Sequence, residues 1–504
     1  MADRDKVLAL MGIAGARPSG GRRAPARAAA AAAPSGGDGG DDAYLGPEAA
    51  RGDLPPLTDE AVAAFVQRLE EDSDRVMAQA NEVFDEPATK DQVLRAARDL
   101  QDALSAPKHA IKAIESRRSL ARAAVRSQVP ADFTFPGYDP ADAGKPGFIP
   151  LDVDNTKFET FADWTGYVGS WIAADTNTGM KAAFPWHDQV RGHVYHHVVP
   201  SDGRFEVALF SDFGTGLAHS RYIAKQFATR TRPFDAHIHL GDIYYVGTAD
   251  EVRSRFIEPL LPTLATTPLY TLNANHEMYS GGHAFYSFMH RRRQAHANVH
   301  RQQGSYFCLT VGDKHAIVAL DTDYFGHSRH RHEALQRWAL WAVQNAKNDG
   351  RRVILLTANE PYKYGSDATT RLKRDLEPLL PMVDLWFWGN THYAALFDAH
   401  RDCPIGSCIG HGGYPYHRSE YDLDEPPSEV DSFAPVRWVE RAGRYPRHTG
   451  LRPECGNNGY CAMSLHPDGT IKLTYIDWMS RERCLVTLGN DPGGRLVVTH
   501  LEGY

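Results

Sequence analysis

The chain is poor in cysteine, with six residues among 504. The closest pairs, Cys403 with Cys408 and Cys455 with Cys461, do not have the spacing of common zinc hooks. A chain of this length does not depend on a disulfide frame. Long uncharged apolar runs are also missing, so no segment has the length of a membrane span. These absences exclude a disulfide-framed secreted domain and predict that the protein has no membrane partner.

Positive charge is not in excess either. The sequence has 55 Lys and Arg against 63 Asp and Glu, a formal net charge of −8, so it predicts no nucleic-acid partner. The first ten residues carry four charged side chains and lack the apolar core of a secretory signal. We therefore expect a cytoplasmic protein.

The composition changes along the chain and predicts four segments. Residues 1–55 are a leader rich in Gly, Ala, Pro and Arg, which is expected to be disordered because it has few large apolar groups. Residues 56–128 have apolar residues at helical spacing and predict a helical unit. Residues 129–203 are rich in aromatic and turn residues and predict a small β-rich segment. Residues 204–504 predict one catalytic domain that includes the C-terminal strands.

In this last segment, short apolar strands end in loops rich in Asp, Asn, Gly and His. This is typical of α/β enzymes, where ligands bind at the carboxyl ends of strands. Four strand ends carry residue types that bind metals, and together they predict one metal centre. The residues are Asp212, then Asp242 with Tyr245, then Asn275 with His276, and finally His392.

The motifs around these residues have a specific resemblance. Asp-Phe-Gly at 212–214, Gly-Asp-Ile-Tyr-Tyr at 241–245 and Asn-His-Glu at 275–277 resemble the calcineurin-like metallophosphoesterase superfamily, and among its branches the purple acid phosphatases. The resemblance runs from about residue 205 to about residue 397. It implies an α/β fold in which helices flank a two-sheet β-sandwich. It also implies a two-metal centre that hydrolyses a phosphate ester through a metal-bound hydroxide.

The resemblance also implies a role for each residue. His276 would contact the phosphate or the leaving oxygen as the catalytic residue. A tyrosine binds metals only as phenolate, and a strongly charged cation favours that form, so the first metal is expected to be iron. The implied metal ligands are Asp212, Tyr245 and His392 for the first ion, Asp242 as the bridge, and Asn275 for the second ion.

Two positions depart from the family pattern, and both belong to the second metal. The family has histidines where this chain has Asn359, or Ala358 in another register, and Asn390. A site with only oxygen ligands favours hard cations and binds them weakly. A second divalent ion, which would be manganese, magnesium or zinc, is therefore expected to be weakly bound or absent.

Three functions follow from this pattern. The first is a metallophosphoesterase that hydrolyses a small phosphorylated substrate. The second is a repurposed mononuclear iron enzyme with redox chemistry, and the third is a non-catalytic binding module on the same scaffold. The sequence does not identify the substrate or the oligomeric state.

Overall fold

The computed structural model describes residues 3–4, 6–7, 11, 57–83, 88–126, 129–151, 161–175, 182, 192–296, 298–324, 333–365, 370–400, 402–424 and 435–503. The predicted leader at 1–55 therefore lies almost wholly outside the described residues. In the remaining chain, strands and α-helices are interspersed from residue 192 to residue 388, as the sequence predicts for an α/β fold, and further strands follow to residue 503.

The helices precede or connect the strands. Their bounds are α1 Asp59–Glu71, α2 Ser73–Val83, α3 Lys90–Ser105, α4 Pro107–Arg126, α5 Phe161–Asp175, α6 Ala218–Thr229, α7 Glu258–Leu264, α8 Asn275–Met278, α9 His283–Ala295, α10 Glu333–Asn348 and α11 Arg371–Asp375. A helical turn at Ala249–Glu251 and a π-helical turn at Val252–Ile257 lead directly into α7. In the described ranges, no helix has both the length and the apolar content needed to cross a membrane.

Fifteen strands form two sheets in the described part of the chain. Their bounds are β1 Val194–His197, β2 Phe205–Phe210, β3 Ala236–His239, β4 Leu269–Thr271, β5 Phe307–Val311, β6 His315–Leu320, β7 Arg352–Thr357, β8 Leu385–Trp388, β9 Ala394–Phe397, β10 Ile405–Ile409, β11 Val436–Val439, β12 Gly459–Leu465, β13 Ile471–Asp477, β14 Glu482–Asn490 and β15 Leu496–Gly503.

Each sheet combines parallel and antiparallel pairs. One sheet has eight strands in the order β1-β5-β6-β7-β8-β10-β9-β11, and the other has seven in the order β15-β14-β13-β12-β2-β3-β4. The pairs β2–β3, β3–β4 and β7–β8 are parallel, so their carboxyl ends lie at one edge of each sheet. The predicted fold class, two sheets flanked by helices, is confirmed.

The core between the sheets follows from the alternation of side chains along buried strands. In β2, Val207 and Leu209 point into the layer between the sheets, while Phe210 packs toward the helices. In β3, Ile238 likewise faces the inner layer. Both faces are covered, which explains why these strands are continuously apolar in sequence.

Two helices of the helical unit, α1 and α3, have capped N-termini. The side chain of Thr58 accepts a hydrogen bond from the N–H of Ala61 at the start of α1, and Thr89 forms a capping box at the start of α3, which satisfies N–H groups that a helix start leaves open. The apolar faces of α1 and α3 are buried, in agreement with their helical spacing.

The segment 129–203 differs from its predicted β-rich character. Its described part contains the 15-residue helix α5 and one strand of four residues, β1. The sequence of α5 is rich in aromatic and small residues, which resembles a strand in composition, but its middle residues Thr165–Ala173 are buried. β1 pairs in parallel with β5, so the larger sheet begins before residue 204.

We expect the contact between the helical unit and α5 to be a major source of stability. Phe65 is 1% exposed and packs edge-on against Trp171, with ring centroids 5.0 Å apart. Phe65→Ala should lower the free energy of unfolding by about 3–5 kcal/mol, because it leaves a cavity at an aromatic contact. Chemical denaturation would measure this loss. Leu340→Ala, at a partly exposed site on α10, should change stability far less.

The buried histidine His237 should make the fold sensitive to acid. Burial, followed by the nearby charge of Arg292, lowers its pKa from 6.5 to about 3. The unfolded chain therefore binds a proton that the folded chain excludes, and stability falls as the pH drops from 6.5 toward 3. His237→Leu should reduce the loss of stability between pH 7.5 and pH 5 by about 2 kcal/mol.

Urea denaturation at the two pH values would test this effect. His500→Leu, at an exposed position of β15, is the matched control and should leave the pH dependence as it is. An equal loss in the wild type and the His237 variant would contradict the assignment.

Candidate metal centre

The predicted site residues follow strands whose carboxyl ends meet where the two sheets approach each other. In the seven-stranded sheet, Asp212 follows β2, Asp242 follows β3 and Asn275 follows β4. In the eight-stranded sheet, Asn359 follows β7 and His392 follows β8. The N–H of Asp212 donates to the carbonyl of Gly241 at 3.0 Å, which fixes the first two loops side by side.

Three side chains converge at this edge. The hydroxyl of Tyr244 donates to Oδ1 of Asp212 at 2.7 Å and lies 3.1 Å from Nε2 of His392. The same Nε2 is 3.4 Å from Oδ1 of Asp212. Burial tends to raise the pKa of Asp212, but contacts with His392, Tyr244 and Ser211 outweigh burial and hold it below its usual value. Asp212 therefore carries a fully buried negative charge.

The structure brings Tyr244, and not the predicted Tyr245, to this cluster. The side chain of Tyr245 contacts the ring of Tyr167 of the N-terminal helices, and its own ring centroid lies 5.9 Å from that of Tyr244. The ligand role predicted for Tyr245 stays a prediction.

Two buried carboxylates hold the loop that carries these tyrosines. Glu251 accepts hydrogen bonds from the N–H groups of Tyr245, Val246 and Thr248 at 2.6–3.2 Å. Glu277 accepts from the N–H groups of residues 242, 243 and 274. Burial raises the pKa of Glu277 to about 7, and these N–H groups oppose that shift. These N–H groups have no partner in a neighbouring strand, and the two carboxylates supply their hydrogen bonds.

His276 is 1% exposed and is held by the same loop. Its Nδ1 lies 2.6 Å from the carbonyl oxygen of Tyr245, which requires the proton to be on Nδ1 because a carbonyl oxygen only accepts. The imidazole packs against the ring of Tyr244 with centroids 4.3 Å apart. The predicted catalytic residue is therefore adjacent to the three-residue cluster.

Asp242 and Asn275 are brought close by a glycine. Gly241 has a φ of +110°, and a Cβ at this position would lie 2.5 Å from Cβ of Ala274, so only glycine permits this approach. Nδ2 of Asn275 donates to the hydroxyl of Tyr279 at 2.8 Å. Its Oδ1 is buried and has no hydrogen-bond partner among the described residues, which leaves an acceptor available at this edge.

The two positions where the family has histidines are engaged in other bonds. Oδ1 of Asn359 accepts from the hydroxyl of Thr322 at 2.5 Å. Nδ2 of Asn390 donates to Oε2 of Glu360 at 2.7 Å, and its backbone N–H donates to Oδ2 of Asp212 at 3.0 Å.

Three non-glycine residues at this edge have left-handed backbone conformations: Asp212 with φ +57°, Asp242 with φ +74° and Asn390 with φ +63°. Asn and Asp tolerate this region better than other residues do, but it still costs energy and is frequent at functional sites. Gly389 precedes Asn390, and a Cβ there would lie 2.9 Å from Oδ2 of Asp212. The close approach of the two sheets at this point therefore needs glycine.

Two further tyrosines orient His392. Tyr414 stacks on its imidazole, with centroids 4.1 Å apart and planes at 29°. The hydroxyl of Tyr421 lies 3.4 Å from Nδ1 of His392 and accepts from its backbone N–H at 3.3 Å. The ring of His392 is thus fixed with Nε2 toward Asp212.

The cluster of Asp212, Tyr244 and His392 offers three donor atoms to a metal ion. Among the described residues, no group of three or more His, Cys, Asp and Glu side chains is arranged to hold one. The cluster has only two such residues, Asp212 and His392, and its third member is Tyr244. The spacing of 2.7 Å between Tyr244 and Asp212 is that of a hydrogen bond. The donor types, a carboxylate, a phenol and an imidazole, are ones that bind metal ions.

Comparison with known proteins agrees with this architecture. Residues 205–394 match the family described as Calcineurin-like phosphoesterase. The matched residues include Asp212, Tyr244 and His392, and the predicted relationship to the superfamily is confirmed.

The domain is also similar to a solved structure, a purple acid phosphatase named PPD1 isolated from seeds of yellow lupin (Lupinus luteus). The identity is 14%, the TM-score is 0.39, and the similarity covers 55% of this chain and 52% of the lupin chain. The similarity thus spans about half of the lupin protein. No curated protein matches the chain in sequence.

Sequence reasoning missed four residues of this site: Tyr244, Glu360, Tyr414 and Tyr421. The pair of tyrosines in Gly-Asp-Ile-Tyr-Tyr was visible, but nothing in the pattern indicates which hydroxyl bonds to Asp212. Glu360 directly follows Asn359 and could have been considered as a ligand at the end of β7. Tyr421 has no motif, and only the fold brings it to His392.

Tyr421 should support metal binding through His392. Tyr421→Phe is expected to weaken Mn²⁺ binding by about 10-fold, because groups that orient a ligating imidazole commonly contribute that much. Isothermal titration calorimetry would measure the affinity. Tyr393→Phe is the matched control, since the hydroxyl of Tyr393 accepts from the N–H of Tyr364. Equal losses in both variants would contradict a specific role for Tyr421.

Proposed function

We propose that this protein is a metal-dependent phosphoesterase, with Asp212, Tyr244 and His392 as ligands of its first metal ion. One observation carries the proposal: three donor atoms of these side chains lie within 2.7–3.4 Å of one another in a domain that matches the phosphoesterase family. The expected ion is iron, because a phenolate ligand favours a strongly charged cation. The substrate would be a small phosphorylated molecule.

A metal ion at this position would polarise a phosphoryl oxygen and activate water as a nucleophile. The remaining tasks fall to side chains of the chain itself. Asp242 and Asn275 follow β3 and β4, the strands beside β2, and a buried amide oxygen of Asn275 has no hydrogen-bond partner in the described chain. This supports their predicted role in binding an ion or a polar group of the substrate.

His276 would donate a proton to the leaving group. Because Nδ1 donates to the carbonyl of Tyr245, proton exchange with a substrate would involve Nε2. The ring is fixed by this bond and by its contact with Tyr244, so the imidazole is positioned before substrate arrives. Preorganisation of this kind lowers the cost of proton transfer.

We also propose that the functional unit extends beyond residues 204–504. Tyr244 and Tyr414 belong to one continuous core with Val62, Phe65 and Trp171 of the N-terminal helices. The helical unit thus packs against residues that contact His392 and Asp212. A truncated chain that begins at residue 204 would expose this core.

The choice between the two tyrosines can be tested by absorption spectroscopy. Iron-loaded wild-type protein should show a visible band from phenolate-to-iron charge transfer. Tyr244→Phe should abolish the band, whereas Tyr245→Phe, the matched control one residue away, should retain it. Loss of the band only in Tyr245→Phe would restore the ligand predicted from sequence, and no band in the wild type would contradict a phenolate ligand.

Hydrolysis itself can be tested with p-nitrophenyl phosphate. Asp212→Asn should lower turnover about 100-fold or more, since a charged group at the reacting centre typically contributes that much. Asp349→Asn, on an exposed turn after α10, should leave turnover unchanged. If the metal-loaded wild type shows no turnover of any phosphate ester tested, the proposal is wrong.

The bonds of Asn359 and Asn390 favour a second candidate function, that of a mononuclear iron enzyme with redox chemistry. Both residues stand where the family has ligands of a second ion, and both are hydrogen-bonded to neighbouring side chains. Consumption of oxygen by iron-loaded protein in the presence of a reductant, without hydrolysis of p-nitrophenyl phosphate, would support this alternative.

A further inference from the structure

Asn390 forms a bridge between two carboxylates. Its backbone N–H donates to Oδ2 of Asp212 at 3.0 Å, and its side-chain Nδ2 donates to Oε2 of Glu360 at 2.7 Å. An amide nitrogen that donates has no lone pair to offer a cation, and a neutral amide oxygen is a weaker ligand for a transition metal than the imidazole nitrogen of a histidine. Asn390 thus presents hydrogen-bond donors at the position where the family presents a histidine ligand.

Glu360 is fixed in place from two sides. It is 9% exposed, and besides the bond from Asn390 its Oε1 lies 3.6 Å from Nζ of Lys363. A buried carboxylate needs such partners, because an unpaired buried charge is costly. The negative charge of Glu360 is therefore satisfied by an amide and an ammonium group of the chain.

Asn359, the second position that departs from the family pattern, also forms hydrogen bonds within the protein. Its Oδ1 accepts the short bond from Thr322, and its backbone carbonyl accepts from the hydroxyl of Thr357 at 2.8 Å. Thr322 in turn lies 3.2 Å from Oδ2 of Asp323. The residue is thus part of a hydrogen-bond network that continues away from Asp212.

We infer that the second metal ion of the family is replaced in this protein by the Glu360–Asn390 pair, so that the centre holds a single ion. This inference rests on the proposed function, since it presumes an ion at Asp212, Tyr244 and His392. The two asparagines and their hydrogen-bond partners would lie beside that ion. The negative charge of Glu360 is held one amide away from Asp212 and strengthens the attraction for the first cation.

Metal stoichiometry of the full-length chain tests the inference, with Mn²⁺ alone as the probe. Metal-free protein is titrated by calorimetry, and electron paramagnetic resonance is recorded at saturation. We expect one equivalent of Mn²⁺ per chain and the six-line signal of an isolated ion. Two equivalents with an exchange-coupled signal would overturn the inference and leave the proposed function intact, whereas no bound Mn²⁺ would overturn both.

Two double variants test which residues exclude the second ion. The double variant Asn359→His with Asn390→His should bind a second equivalent and give the coupled signal. Asn345→His with Asn490→His, both at exposed positions in different elements, is the control for adventitious binding by added histidines and should stay at one equivalent. A folded double variant at 359 and 390 that still binds one ion would show that these asparagines do not decide the stoichiometry.

Glu360→Gln provides an independent measurement in a chain with nearly unchanged shape. The glutamine can still meet Asn390, but the negative charge is lost, so the single Mn²⁺ should bind about 10-fold more weakly with the stoichiometry unchanged. A change from two equivalents to one in this variant would instead identify Glu360 as a ligand of a second ion, and the inference would fall.

Discussion

The structure of the site depends on the buried carboxylate of Asp212. It lies between the two sheets and receives the hydroxyl of Tyr244 from one and the N–H of Asn390 from the other. A charge without exposure to solvent is tolerated only with such partners. The loop at 410–414 adds to this junction, because Gly412 and Tyr414 donate to the backbone of residues 211 and 212. The two sheets are therefore joined most firmly at the edge that carries the candidate chemistry.

Other buried carboxylates act as supports beneath the site. Glu251 and Glu277 bind the N–H groups of the loop at 242–248, and Asp321 binds the N–H groups of residues 323 and 324 as well as the hydroxyl of Tyr286. Each carboxylate accepts hydrogen bonds from backbone N–H groups that have no partner in a strand. This explains how loops with left-handed residues at 212, 242 and 390 keep a defined shape.

The sequence was a good guide to what depends on local pattern. Apolar strands that end in Asp, Asn and His predicted the edge at which Asp212, Asp242 and His392 lie, because strand ends are set by short-range alternation. The direction of a side chain in a loop is set by distant contacts, and therefore Tyr244 and Tyr245 could not be told apart. The helix α5 was missed for a similar reason: its aromatic composition resembles a strand, and its helical form is stabilised by burial against α1 and α3.

The replacement of histidine by asparagine at position 390 has an electrostatic consequence. In a two-metal site, a second divalent cation would face the substrate and help to neutralise a phosphoryl group. Here an amide donates to Asp212 and to Glu360 instead, which brings a second negative charge near the centre. If the centre holds one ion, as we infer, stabilisation of an anionic transition state would come from that ion together with neutral donors and His276. Such a centre would favour substrates of lower negative charge, because each additional charge on the substrate would be repelled by Glu360 without a second cation to compensate.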